Sequence, residues 1–236
     1  MKFIKRLIII VILAIITIGL VVGMPGYTMY KEAIEKTPIE QKVEEIKKEK
    51  KNYTEFVDLP EMYVNAVVAT EDHRFYNHQG FDVISIARAV FNDVKEQEFV
   101  EGGSTITQQL AKNIYFTQER TSRRKIAEIF MAVELEKTLS KNEILELYVN
   151  TSYFGDGYYT VKDASKGYFK KELEKLTDYE CAMLAGLPNA PSVYAPTKNP
   201  ELAKQRTKQV IRKMVDNNYL SQKEADKIIT DGEKEF

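Results

Sequence analysis

The chain has 236 residues and a net charge of −1, a length that suits one globular domain plus a short accessory segment. The near-neutral balance argues against a general nucleic-acid binder, which needs a basic excess to neutralise phosphates. The single cysteine, Cys181, lies in an apolar stretch and excludes an intramolecular disulfide or a cysteine metal site.

At the N-terminus Lys2, Lys5 and Arg6 precede an uncharged run from Leu7 to Met24. As a helix that run spans about 27 Å, close to the thickness of a bilayer core. The basic flank predicts a cytoplasmic tail (1–6), a transmembrane helix (7–24) and a remainder facing outward. A cleavable signal peptide fits less well, because the apolar run is long and no A-x-A site follows. Residues 25–56 are rich in Glu and Lys with sparse apolar positions, and read as a solvated stalk broken near Pro38.

The globular part is expected from residue 57 to 236. Helical periodicity predicts helices over Glu61–Thr70, Val83–Val94, Thr105–Tyr115, Arg123–Leu139, Lys141–Asn150, Val161–Tyr168, Asp178–Gly186, Pro200–Asn217 and Gln222–Asp231. Start signals support several. Ser104 or Thr105 can cap the third, while Ser140 with Glu143, Thr177 with Glu180 and Ser221 with Glu224 form capping boxes. No alternating strand pattern is convincing, so the fold class is mainly α.

Four polar clusters carry candidate chemistry. The first is Glu71-Asp72-His73-Arg74-Phe75-Tyr76-Asn77-His78-Gln79-Gly80, at the end of an apolar helix. There the pKa of a Glu can rise towards the working range of a general base. The second runs from Gly102 to Asn113. Its glycines and hydroxyls at a helix start make an anion-binding corner, with Gln108, Gln109 and Lys112 on neighbouring helix positions. The third holds Arg120, Arg123, Arg124 and Lys125, with Glu128 one turn on, a set suited to a phosphate-bearing leaving group. The fourth, Lys141 to Asn150, presents Ile144, Leu145, Tyr148 and Val149 as a packing stripe. Singly, each has an ordinary explanation: a helix cap, a loop entering a helix, a wet helix face, a core stripe. His73 and His78 are expected to hold loop hydrogen bonds rather than a metal.

Together, in this order and spacing, the four clusters resemble the peptidoglycan glycosyltransferases, glycosyltransferase family 51. The matching residues are Glu71, Asp72, Phe75, His78 and Gly80, then Gly102 to Leu110 with Lys112-Asn113, then Arg124, Lys125 and Glu128, then Lys141 to Asn150. A fifth block, usually Arg-Arg-x-x-x-Val-Leu, appears with Gln205-Arg206 and Val210-Ile211, its first arginine absent. Thr160 stands where the family often has glycine. No transpeptidase domain follows, which predicts a monofunctional enzyme.

The resemblance implies a lysozyme-like helical domain with a membrane-proximal second lobe. It implies polymerisation of lipid II into β-1,4 glycan strands, with release of undecaprenyl diphosphate, for cell-wall synthesis. Glu71 would be the general base and Glu128 the second catalytic carboxylate, either orienting cations or holding a divalent metal, Mg or Mn, at the diphosphate. Asp72, Phe75, Ser104, Thr105, Gln108, Gln109, Lys112, Asn113, Arg120, Arg124 and Lys125 would contact substrate. The implied partners are lipid II, the growing lipid-linked glycan, the membrane and other cell-wall synthases, with no nucleic acid. Phe91, Phe99 and Val100 would either dip into the bilayer interface or serve as core.

Overall fold

The computed structural model describes residues 2–88, 103–117, 119 and 121–235. Among these there are helices and turns but no strand, as expected for a mainly α protein. The longer helices are α1 (Lys2–Lys36), α2 (Ile39–Glu49), α3 (Glu61–Glu71), α4 (Ile106–Tyr115), α5 (Ser122–Thr138), α6 (Lys141–Thr151), α7 (Val161–Phe169), α8 (Asp178–Gly186), α9 (Pro200–Asp216) and α10 (Gln222–Glu235), with a single turn at Pro191–Tyr194 before α9. The expected boundaries hold to within a few residues. Of the expected Val83–Val94 helix, 83–88 are helical and the remainder lies outside the described residues, as do Phe91, Phe99 and Val100.

Local chemistry explains these boundaries. Thr105, Ser140 and Thr177 each cap a helix, and each donates its own backbone N–H to the side-chain oxygen of Gln108, Glu143 or Glu180 to complete a capping box. Ser221 and Glu224 make the same exchange before α10. Helix α8 is buried on every side from Tyr179 to Gly186 and forms the central rod. Around it pack α3, α9 and α10, while α4 is held between α5 and α6. Tyr63, Phe75, Leu110, Met131, Leu145 and Tyr148 are wholly or almost wholly buried. Phe75, Leu110, Met131 and Leu145 each contribute about 1.5–3 kcal/mol of apolar transfer. The stripe on α6 is therefore core, as its pattern suggests.

The stalk expectation is corrected. Tyr30, Ile39 and Ile46 join the hydrophobic core, so the segment packs against the domain instead of standing off it. Helix α1 lies along α5. A Cβ at Gly26 would sit 2.5 Å from Ile126 Cγ2, so only glycine permits this approach. Tyr27 and Tyr30 place their rings 5.2 and 5.9 Å from Phe130. Sparse apolar residues suffice here because a few large side chains do the burying. The expected anchor, Leu7–Met24, forms the first part of α1. Among the described residues no helix is long and apolar enough to cross a membrane, so a spanning role for this segment rests on the sequence.

Candidate active site

Glu71 is the last residue of α3, which packs against α8 and α9 and is joined to α4 by a hydrogen bond at Glu71 itself. Its side chain is only 8% exposed. Oε2 accepts a hydrogen bond from Gln109 Nε2 at 2.9 Å. Oε1 has no hydrogen-bond partner, and its nearest cation is Arg206 Nη2 at 3.7 Å. Two buried phenols stand by. Burial pushes the pKa of Tyr63 and of Tyr148 well up, and the negative charge of Glu71 adds to both. Both remain neutral. Tyr148 OH donates to Gln109 Oε1 at 3.4 Å and so helps to orient that amide.

Asp72 turns the other way. Its Oδ2 accepts from Ile106 N at 3.1 Å and lies 2.8 Å from His78 Nε2. It therefore ties the first cluster to the start of α4, satisfying one of the free amides of that helix end. The expected loop role of His78 is met by this contact. Gly80 closes the loop. Its φ is +93°, and a Cβ there would lie 2.8 Å from the backbone of Ala132, so neither the conformation nor the space admits a side chain. Thr105 Oγ1 donates to Gly80 O at 2.6 Å.

The second carboxylate, Glu128, is 2% exposed on α5. Arg124 Nε lies 2.8 Å from its Oε1, an ion contact without hydrogen-bond angles, and Lys125 Nζ donates to its Oε2 at 3.0 Å. Lys125 Nζ also donates to Ser104 Oγ at 2.6 Å. Lys112 on α4 sits in the field of both carboxylates. Burial pushes its pKa down, Glu128 pulls it back up, Arg124 and Lys125 push down again, and Glu71 opposes them more weakly. The arrangement is thus a near-buried carboxylate, Glu71, linked through the field at Lys112 to a second carboxylate, Glu128, that carries two paired cations.

The structure divides the expected substrate contacts. Ser104, Gln109, Lys112, Arg124 and Lys125 gather around the two glutamates, and Asn113 lies half-buried beside Lys112 in α4. Arg120 lies outside the described residues. Four of the expected contacts are buried in the fold. Phe75 is fully buried beneath Lys141 Nζ, 4.4 Å from its ring centroid, and offers no surface to a ligand. Thr105 and Gln108 are 2% and 1% exposed and spend their polar groups on capping α4. Asp72, likewise buried, acts as a strut.

Arg206, in the block whose first arginine is absent, was not among the expected site residues. It is buried on α9 and reaches Glu71. The signal available in the sequence was the second arginine of the fifth block.

A family model described as Transglycosylase matches residues 38–215. The chain belongs to that family, glycosyltransferase family 51. Among curated relatives, it is 46% identical over 168 residues to penicillin-binding protein 1F of Bacillus subtilis (strain 168), covering 71% of this chain and 24% of that protein. It is 43% identical over 183 residues to penicillin-binding protein 1A of Neisseria lactamica, covering 78% and 23%. It is 44% identical over 173 residues to penicillin-binding protein 1A of Aquifex aeolicus (strain VF5), covering 73% and 24%. The match therefore spans about a quarter of the length of these relatives. A crystal structure of penicillin-binding protein 1A from Haemophilus influenzae aligns with a TM-score of 0.45 at 25% identity, over 75% of this chain and 17% of that one.

Proposed function

We propose that this transglycosylase-family chain is a peptidoglycan glycosyltransferase that polymerises lipid II into β-1,4-linked glycan and releases undecaprenyl diphosphate. The observation that carries this reading is Glu71: nearly buried, oriented through one oxygen by Gln109, with its charge felt at Lys112, which also lies in the field of Arg124, Lys125 and Glu128.

In this mechanism Glu71 removes the proton from the 4-hydroxyl of the acceptor sugar. The acceptor oxygen forms a bond to the anomeric carbon of the donor as the bond from that carbon to the diphosphate breaks, and the configuration inverts. The electron pair leaves on the diphosphate, where Lys112, Arg124 and Lys125 stabilise the developing charge. General-base transfer of this kind contributes about 10²–10⁴-fold. Glu128 holds two of those cations in place.

The contacts of Glu128 do not fit a protein-held Mg or Mn. Both of its oxygens already face Arg124 and Lys125, and among the described residues no three His, Cys, Asp or Glu side chains form a metal-binding group.

The same reading makes the helical body a lysozyme-like domain with a second lobe towards the bilayer, and Leu7–Met24 a single-pass anchor with a cytoplasmic N-terminus. Confining enzyme and lipid-tailed substrate to one surface raises their effective concentration. The α1–α5 packing around Gly26 and Phe130 supports this, because it ties the proposed anchor directly to the helix that bears Arg124, Lys125 and Glu128.

The test is to incubate the purified full chain with lipid II and resolve the products on a gel. A ladder of glycan polymer is expected. Absence of polymer, with cleavage of preformed glycan, would replace this reading with a hydrolase.

A further inference from the structure

Helix α9 directs two cations at the last turn of α3. Lys213 Nζ donates to Thr70 O at 2.9 Å, and Arg206, seven residues earlier on the same face, points Nη2 at Glu71 Oε1 from 3.7 Å. The guanidinium of Arg206 is fixed on three other sides. Nε donates to Gly186 O at 3.2 Å, Nη1 to Gln209 Oε1 at 3.4 Å, and the plane lies 5.6 Å from the Tyr194 ring centroid. A Cβ on Gly186 would come within 2.9 Å of Arg206 Cγ, so the glycine that ends α8 makes room for this side chain.

The two oxygens of Glu71 are therefore unequal. Oε2 is committed to Gln109, while Oε1 faces a fixed positive charge too far away to take its lone pairs. We propose that Arg206 is a positioning residue that holds the Glu71 carboxylate in one orientation, with Oε1 buried towards the guanidinium and Oε2 held by Gln109. This rests on Glu71 being the base. Arg206 touches no reacting atom; it acts through the carboxylate. A rotated carboxylate would be misaligned for proton transfer, and misplacement of about 1 Å in a reacting group can cost about 10²-fold.

The experiment compares Arg206→Gln, Arg206→Lys and Tyr194→Leu in the full chain, with kcat and KM for lipid II measured separately and thermal unfolding followed alongside. Arg206→Gln should lower kcat about 10–100-fold with KM within about twofold, and Arg206→Lys should recover several-fold of that loss. Tyr194→Leu removes only the ring beneath the guanidinium. It should lower kcat by a smaller factor in a folded protein, and it keeps the test open if Arg206→Gln does not fold. Wild-type kcat in Arg206→Gln or in folded Tyr194→Leu, a loss carried mainly by KM, or a lysine variant no better than glutamine would overturn the positioning role. If instead Glu71→Gln itself still polymerises lipid II, the base assignment fails, an outcome separate from any result at Arg206.

Discussion

Gln109 Nε2 donates to Glu71 Oε2 at 2.9 Å, across 38 residues of chain, and this bond joins the end of α3 to the face of α4. The neighbouring Gln108 turns inward to cap α4. Two adjacent glutamines of one motif thus do different work. One builds the helix that the other uses to orient the candidate base.

That division is testable at Gln109. Gln109→Ala frees Glu71 Oε2 and should lower lipid II polymerisation about 10–100-fold, the equivalent of a lost hydrogen bond of about 1.5–3 kcal/mol to a charged group. Gln109→Glu should be worse, because a second carboxylate would face the first. Steady-state rates of the two variants beside the parent check the order.

Lys112 gives a pH signature. Burial disfavours its charged form, so its pKa lies below the ordinary lysine value despite the pull of Glu128. The cation is present below that depressed pKa and is lost as the pH rises through it. Activity should therefore fall on the alkaline side before an ordinary lysine, near pH 10, would titrate. Lys112→Arg keeps its charge and should move the alkaline limb to higher pH, with a lower peak rate because a planar fork replaces a compact ammonium. A pH–rate profile over about pH 7–10 reads this directly; an unmoved limb would assign it to another group.

Asp72 should behave as a strut. Asp72→Ala removes the acceptor from Ile106 N and the partner of His78. A cost of about 2–3 kcal/mol is expected, seen as a lowered thermal midpoint. Asp72→Asn keeps an acceptor oxygen and should retain part of that stability. Equal midpoints for parent and Asp72→Ala would return Asp72 to the set of substrate contacts.

These cases show where the sequence was legible. Capping boxes at Thr105, Ser140 and Thr177 lie within four residues of chain, so helix starts could be read from it. So could the gathering of Glu71, Lys112, Arg124, Lys125 and Glu128, because a family pattern already encodes their proximity. Burial could not. Phe75, Thr105 and Gln108 stand in the same motifs as the residues gathered at the candidate site, and only packing separates them. Arg206 looks like one more cation on an amphipathic helix until α9 is laid against α3. Tyr30, Ile39 and Ile46 look too sparse to dock a stalk, yet the surface they meet comes from distant segments.

The most direct test of the account is Glu71→Gln in the full chain, assayed for conversion of lipid II to polymer. The substitution keeps the size of the side chain and its contact with Gln109 while removing the proton acceptor. The account predicts a loss of about 10²–10⁴-fold or more, with the thermal unfolding midpoint essentially retained. Polymer formation at the parental rate by the folded variant would contradict it.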